Sequence, residues 1–396
     1  MAEAAREAWI TGIGMVSCLG EGMDAHWHAL NAGHPQPNSS LYPPYLVHTL
    51  PPLDFDKQIP KKDQRQMEPW QRIGTYAAGL ALDSAGMKGN SELLSHTDMI
   101  ICAGGGERDL AVDSAVLTGL PKAADPASFL NERLMSDLRP KLFLAQLSNL
   151  LAGNISIVHG VIGSSRTFMG EEAAGVDAVR IALSRIAAGQ SDIALVGGSY
   201  NAERPDTLLL FELGNYLLRG QFAPVWERAP RGGFAFGSVG AFLVIEERSH
   251  AEKRGGRPFA RLSAVLSDHC RRTDGDVTAA LARMWSKLSG RLAGGRHAVI
   301  SGASGAEPAT REERAFLAQH PEVAVRATGT HIGHALEPQF PMNVAIAALV
   351  VSHGSLFPPC DASGVERPMA GPLPQAVVTA VGHWRGEGMA LVEAAN

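Results

Sequence analysis

Carboxylates and imidazoles, rather than thiols, are the residues of this chain best suited to chemistry. Glu171 and Glu172 stand side by side in MGEEAAG, and His331 and His334 lie three apart in TGTHIGHALEPQF. A glutamate and a histidine within hydrogen-bond reach can work as general acid and base. A carboxylate at a helix N-terminus also has a purely structural use, favoured by free N–H groups and the helix dipole. For Glu172 both readings stay open on the sequence. The four cysteines, Cys18, Cys102, Cys270 and Cys360, are scattered without a C-x-x-C pair. That spacing speaks against a zinc site or a disulfide framework and suits a reducing cytosol. Neither a metal nor another cofactor is expected.

The elements that must hold these groups alternate along the chain. A strand from Ala8 to Ile13 enters the turn of WITGIGMVSCLG, and a polar, Pro-rich stretch from Pro35 to Pro60 reads as an irregular surface insertion. MEPWQRIGTYAAGLALDSAG carries helical spacing up to Gly86, MIICAGGG reads as a buried strand, and LFLAQLSNLLAGNISIVHG as a buried helix. SDIALVGG and GGFAFGSVGAFLVIEE add strands, and from Arg257 the alternation restarts and closes on VVTAVG and MALVEA. Alternating strands and helices predict largely parallel sheets covered on both faces. The restart predicts two halves, 1–252 and 253–396.

Composition narrows the class. With 396 residues, 45% hydrophobic and 19% charged, the chain has material for a large core. A net charge of −5 without a basic tail excludes a nucleic-acid partner. No apolar run approaches the ~18 residues of a membrane span. MAEAAREAW lacks the apolar core of a secretory signal, so a cytoplasmic location is expected.

The segment GVIGSSRTFMGEEAAGVDAVRIALSRIAAGQSDIALVGG resembles the nucleophile region of the β-ketoacyl-acyl-carrier-protein synthases. ITGIGMVSCLG, NLLAGNISIVHG, LVGGSYNAE, GGFAFGSVGAFLVIEERSHAEKRGGRPFARL and GHALEPQFPMNVAIAAL extend the resemblance, in order, over nearly the whole chain. It implies a thiolase fold: α/β, with duplicated halves forming a five-layered αβαβα core. It also implies a dimer built by pairing sheet edges, a buried acyl tunnel, and acyl carrier protein as a partner.

The resemblance also places the family's catalytic groups. Counting back 25 residues from Gly197 reaches Glu172 where the family has its nucleophilic Cys. Gly302 stands at the first His position, Gly329 at the Lys position, and the second His is kept as His334. GHWRGEG replaces the gating loop, and Trp384 and Arg385 are expected to plug the former mouth. A carboxylate cannot replace a thiolate here, because a mixed anhydride is too reactive to store an acyl chain. Glu171, Glu172, His331, His334 and Arg166 are the groups expected around the old pocket. Lys61, Lys62 and Arg65 in IPKKDQRQM match the region where the family docks its acidic carrier.

Two functions follow from the resemblance. The first is a condensation-incompetent partner subunit like a chain-length factor, shaping the tunnel of an active β-ketoacyl synthase. It would form a heterodimer with that synthase, or a homodimer, and more narrowly resembles the second synthase of lipid A very-long-chain fatty acid synthesis. The second is an enzyme, an acyltransferase or malonyl-carrier decarboxylase using Glu172 and His334.

Overall fold

The computed structural model describes residues 6–138, 144, 146–294 and 296–395. The first half supplies strands β1 (Ala8–Ser17), β2 (Gly20–Glu21), β3 (Asn38–Tyr42), β4 (Tyr45–His48), β5 (Asp98–Cys102), β6 (Ser165–Phe168), β7 (Ile193–Tyr200), β8 (Phe236–Gly237) and β9 (Val239–Glu247). The second supplies β10 (Ala260–Asp268), β11 (His297–Ser301), β12 (Ala324–Ala327), β13 (Gln375–Val381) and β14 (Glu387–Glu393). The main sheet runs β12-β11-β13-β14-β10-β1-β9-β7-β5-β6, with β2 on β1. Its two halves repeat one another: from β1 or β10 outward, each reads first, fifth, fourth, second, third strand. They join where β1 pairs antiparallel with β10, from Ala8 opposite Leu262 to Ile10 opposite Ala260.

Helices repeat in the same way. Pro69–Ser84 and Leu150–His159 flank the first sheet, and Asp276–Ser289 and Ala309–Leu317 flank the second. The helices that follow β6 and β12, Glu172–Ala187 and Gln339–His353, lie between the two half-sheets and touch strands of both. Their sequences explain the placement. QFPMNVAIAALVV is apolar on nearly every side and is buried from Gln339 to Val351, as a helix covered all round must be. Asp276–Ser289 instead buries only Val277, Ala280, Leu281, Met284, Trp285 and Leu288, one stripe at helical spacing, as an outer-layer helix does. The result is five layers, α/β/α/β/α.

Three expectations are corrected. The sheets are mixed rather than largely parallel: β9 and β14 run antiparallel to their neighbours. β13 reaches β14 through the short turn 382–386, which cannot make the crossover that a parallel pair needs. The 35–60 stretch is not irregular throughout, since β3 and β4 pair there and β4 pairs with β8. Of the long helix expected over LFLAQLSNLLAGNISIVHG, only Leu150–His159 forms as a long helix, and residues 142, 143 and 145 lie outside the described residues.

Candidate active-site region

The turn between β6 and the central helix aims the site. Gly170 has φ 129°, and Glu171 follows at φ 59°, ψ −138°. For a residue with a side chain that conformation costs on the order of 1–3 kcal/mol. It swings the chain sharply into the helix, so Glu172, the first helical residue, points inward and is 3% exposed. None of the hydrogen bonds of its carboxylate goes to its own helix. One oxygen, Oε1, instead accepts from His334 Nε2 at 2.8 Å, from His383 Nδ1 at 2.9 Å and from the His383 backbone N–H at 3.1 Å.

His383 was legible only as part of the altered loop GHWRGEG. It sits in the turn joining β13 to β14, closed by the Gly382 N–H donating to the Gly386 carbonyl at 2.8 Å. Arg272 fixes that turn, donating to the Gly382 carbonyl at 2.6 Å and to Glu387 at 2.6 Å. The His383 ring then lies among Phe211, Tyr216 and Phe234, with centroids 5.0, 4.7 and 6.0 Å away. The His334 ring packs on Phe234 at 4.8 Å.

Charge reinforces this geometry. Burial alone would raise the Glu172 carboxyl. The His383 imidazolium outweighs it, with hydrogen bonds from His334 and His383, and holds the group well below the usual carboxylate range. Burial would likewise lower His383, but the Glu172 carboxylate and then Glu171 raise it above its ordinary value. Glu171 Oε1 lies 3.9 Å from His383 Nε2, so the ring stands between two carboxylates. Glu337, which the sequence did not single out, is pushed up to about 7 by burial and by the charges of Glu172 and Glu171. With Glu171, Asn201 and Arg204 it contributes to the polar part of the lining of a cavity of about 390 Å³, whose apolar walls include Trp70 and Phe211.

The other expected positions are arranged differently. Gly302 directly follows β11, under the Thr379 carbonyl, where an added Cβ would stand 2.6 Å from that oxygen. Beside it, Ser301 and Thr379 donate to the buried Glu313 carboxylate at 2.8 and 2.5 Å. A Cβ on Gly329 would stand 2.8 Å from the Ala303 carbonyl oxygen. Neither position has room for a side chain as it is packed.

Of the five groups expected around the pocket, Glu171, Glu172 and His334 come together and two do not. Arg166 is exposed on β6. His331 is buried against Phe357, and burial with the Arg326 charge lowers it to about 4. The expected plug is also corrected. Trp384 is 60% exposed and Arg385 is exposed, while His383 between the turn's strands points inward. Lys61, Lys62 and Arg65 are all exposed, with Lys61 3.1 Å from Asp56.

A family model described as "Beta-ketoacyl synthase, N-terminal domain" matches residues 5–251. The chain belongs to the β-ketoacyl synthase family. It is 26% identical over 267 residues to the 3-oxoacyl-[acyl-carrier-protein] synthase 2 of Vibrio cholerae serotype O1, a match spanning 65% of this chain and 62% of that protein. It is also 26% identical over 378 residues to the oxytetracycline polyketide putative β-ketoacyl synthase 1 of Streptomyces rimosus, covering 89% and 87%. Among solved structures, the ishigamide ketosynthase/chain length factor superposes with a TM-score of 0.80 at 17% identity, covering 99% of this chain and 100% of that one. The duplicated five-layered core is therefore a thiolase fold. No helix among the described residues is long and apolar enough to cross a membrane.

Proposed function

We propose that this protein is a condensation-incompetent partner subunit of an active β-ketoacyl synthase. The observation that carries the reading is Glu172. At the position expected for the nucleophile stands a buried carboxylate, one oxygen of which is engaged by His334 and His383. Such a group can neither store an acyl chain as a thioester nor leave as a thiolate. Tight packing around Gly302 and Gly329 adds to it, since the missing His and Lys have no vacant space to be restored into.

The surface favours a partner. Leu209, Leu210 and Leu213 on the helix Pro205–Leu213 are 62, 64 and 74% exposed, and Ile162 and Met169 flank the edge strand β6, paired on one side only, at 65 and 64%. Exposed apolar side chains beside an open sheet edge mark a surface that another chain covers. On this reading an active synthase pairs there, through the sheet edge, and a carrier protein approaches the Lys61, Lys62 and Arg65 side. The chain divides at 252/253 into the two synthase-like halves. The pathway is fatty acid synthesis, with very-long-chain acyl groups of lipid A the narrower assignment.

A second reading draws on the 2.8 Å contact between Glu172 and His334, an acid–base pair that suits acyl transfer or malonyl-carrier decarboxylation. Both groups are enclosed, at 3% and 1% exposure, with His383 across the carboxylate, so the partner reading takes precedence. The test is reconstitution. The synthase that copurifies from native extract is assayed with acyl- and malonyl-carrier proteins, with and without this chain. Longer products in the mixture uphold the proposal; unchanged product length with no stable heterodimer refutes it.

A further inference from the structure

The geometry points to a binding site for one divalent first-row transition ion, of the zinc class, built from Glu172, His334 and His383. The carboxylate oxygen and the two ring nitrogens, His334 Nε2 and His383 Nδ1, all lie within 4.8 Å of one another, and all three residues are buried. Bonds of roughly 2.0–2.2 Å place the donor atoms of such an ion about 3–4 Å apart. The two nitrogens stand 2.8 and 2.9 Å from Oε1, so an ion entering between them widens those contacts by only a few tenths of an ångström.

Two further observations point to a ligand. Glu172 Oε2 is buried and has no hydrogen-bond partner among the described residues, leaving half of an ionised carboxylate unsatisfied at the centre of the cluster. A buried oxygen without a hydrogen-bond partner is costly even when the other oxygen of the carboxylate is paired, and a cation beside it removes that cost. The outer face of His383 is also prepared. When Nδ1 is a ligand the ring proton sits on Nε2, which faces the Glu171 carboxylate at 3.9 Å. A ligating histidine backed by a carboxylate is the usual outer arrangement of such sites, fixing the tautomer and strengthening the donor. The strained turn at Glu171 holds this second carboxylate on that side of the ring while Glu172 faces the other.

The donor set selects the ion class. Two imidazoles and one carboxylate suit zinc and its first-row neighbours, whereas calcium and magnesium demand more oxygen donors. Three protein ligands leave one position of a tetrahedron open. The inference is independent of the partner-subunit reading: a bound ion is compatible with either function.

The test is direct binding to full-length protein stripped with a chelator. Zn²⁺ is titrated in competition with a chromophoric chelator, and Co²⁺ is followed by its visible absorption. The expected result is one ion per chain, with a Co²⁺ spectrum of low coordination number and no competition from Mg²⁺. His334→Gln, His383→Gln and Glu172→Gln should each weaken Zn²⁺ binding at least 100-fold. Glu171→Gln, outside the ligand set, should weaken it about 10–100-fold. Circular dichroism confirms folding of each variant, and Glu171→Gln remains informative if a buried replacement unfolds. Wild-type binding no tighter than that of the variants, or one ion retained undiminished in all four, overturns the assignment.

Discussion

Removing the Glu172 carboxylate should destabilise the fold far more than removing an ordinary surface glutamate. Oε1 accepts three hydrogen bonds, two from imidazoles that are 1% and 4% exposed. Glu172→Ala leaves both rings buried without their acceptor and His383 without its nearest counter-charge. Breaking a buried pair by deleting one partner costs about 3–5 kcal/mol. Glu172→Gln keeps an acceptor of the same shape and loses the charge, so its cost should be about 1.5–3 kcal/mol, the worth of a charged hydrogen bond. Urea unfolding monitored by tryptophan fluorescence measures both through the midpoint at a common slope. A loss below about 0.5 kcal/mol for Glu172→Ala, the size of an indifferent surface change, refutes the claim that this carboxylate anchors the site.

Other outcomes follow from the same packing. Gly302→Ala should cost about 1–3 kcal/mol by overpacking, because its Cβ meets the Thr379 carbonyl oxygen at 2.6 Å; unchanged thermal stability would show that space exists there. Trp384→Ala should leave stability within about 0.5 kcal/mol of wild type, whereas His383→Ala should lower it clearly, reversing the order a Trp384 plug would give. Burial would raise the Glu246 carboxyl, but hydrogen bonds from Arg254 and His250 hold it below its ordinary value. Its contribution is therefore present above the unfolded carboxylate pKa and lost as pH falls through the folded one; Glu246→Gln should flatten the acid limb of stability against pH, and an unchanged limb would contradict this. Replacing Lys61, Lys62 and Arg65 together by Gln should slow association with an acidic carrier protein and weaken its salt dependence, read by stopped-flow fluorescence.

The sequence carried the fold further than it carried the site. Strand and helix order was readable because each element has its own period: the stripe of Val277, Leu281, Met284 and Leu288, the all-apolar run after Gln339, and the glycine-ended strands. Strand direction was less readable, since β14 follows β13 through a turn whose brevity shows only when the strand ends are known. At the site, Glu172 and His334 were found because their neighbours fix their places in the chain. His383 was hidden because a lone His between glycines looks like any loop residue. Its inward direction depends on the β13–β14 register and on Arg272 gripping the turn from more than a hundred residues away. Arg166 and His331 failed for a related reason: closeness in sequence to site residues does not decide which face of a strand or helix they occupy.

The central claim, that no acyl chain can be stored at Glu172, is tested most directly by intact-protein mass spectrometry. The purified chain is incubated alone with acyl-carrier proteins of several lengths, beside an active synthase as positive control. The account predicts no acyl adduct on this chain at any length and a full adduct on the control. A stable, stoichiometric adduct that disappears in Glu172→Ala would contradict it.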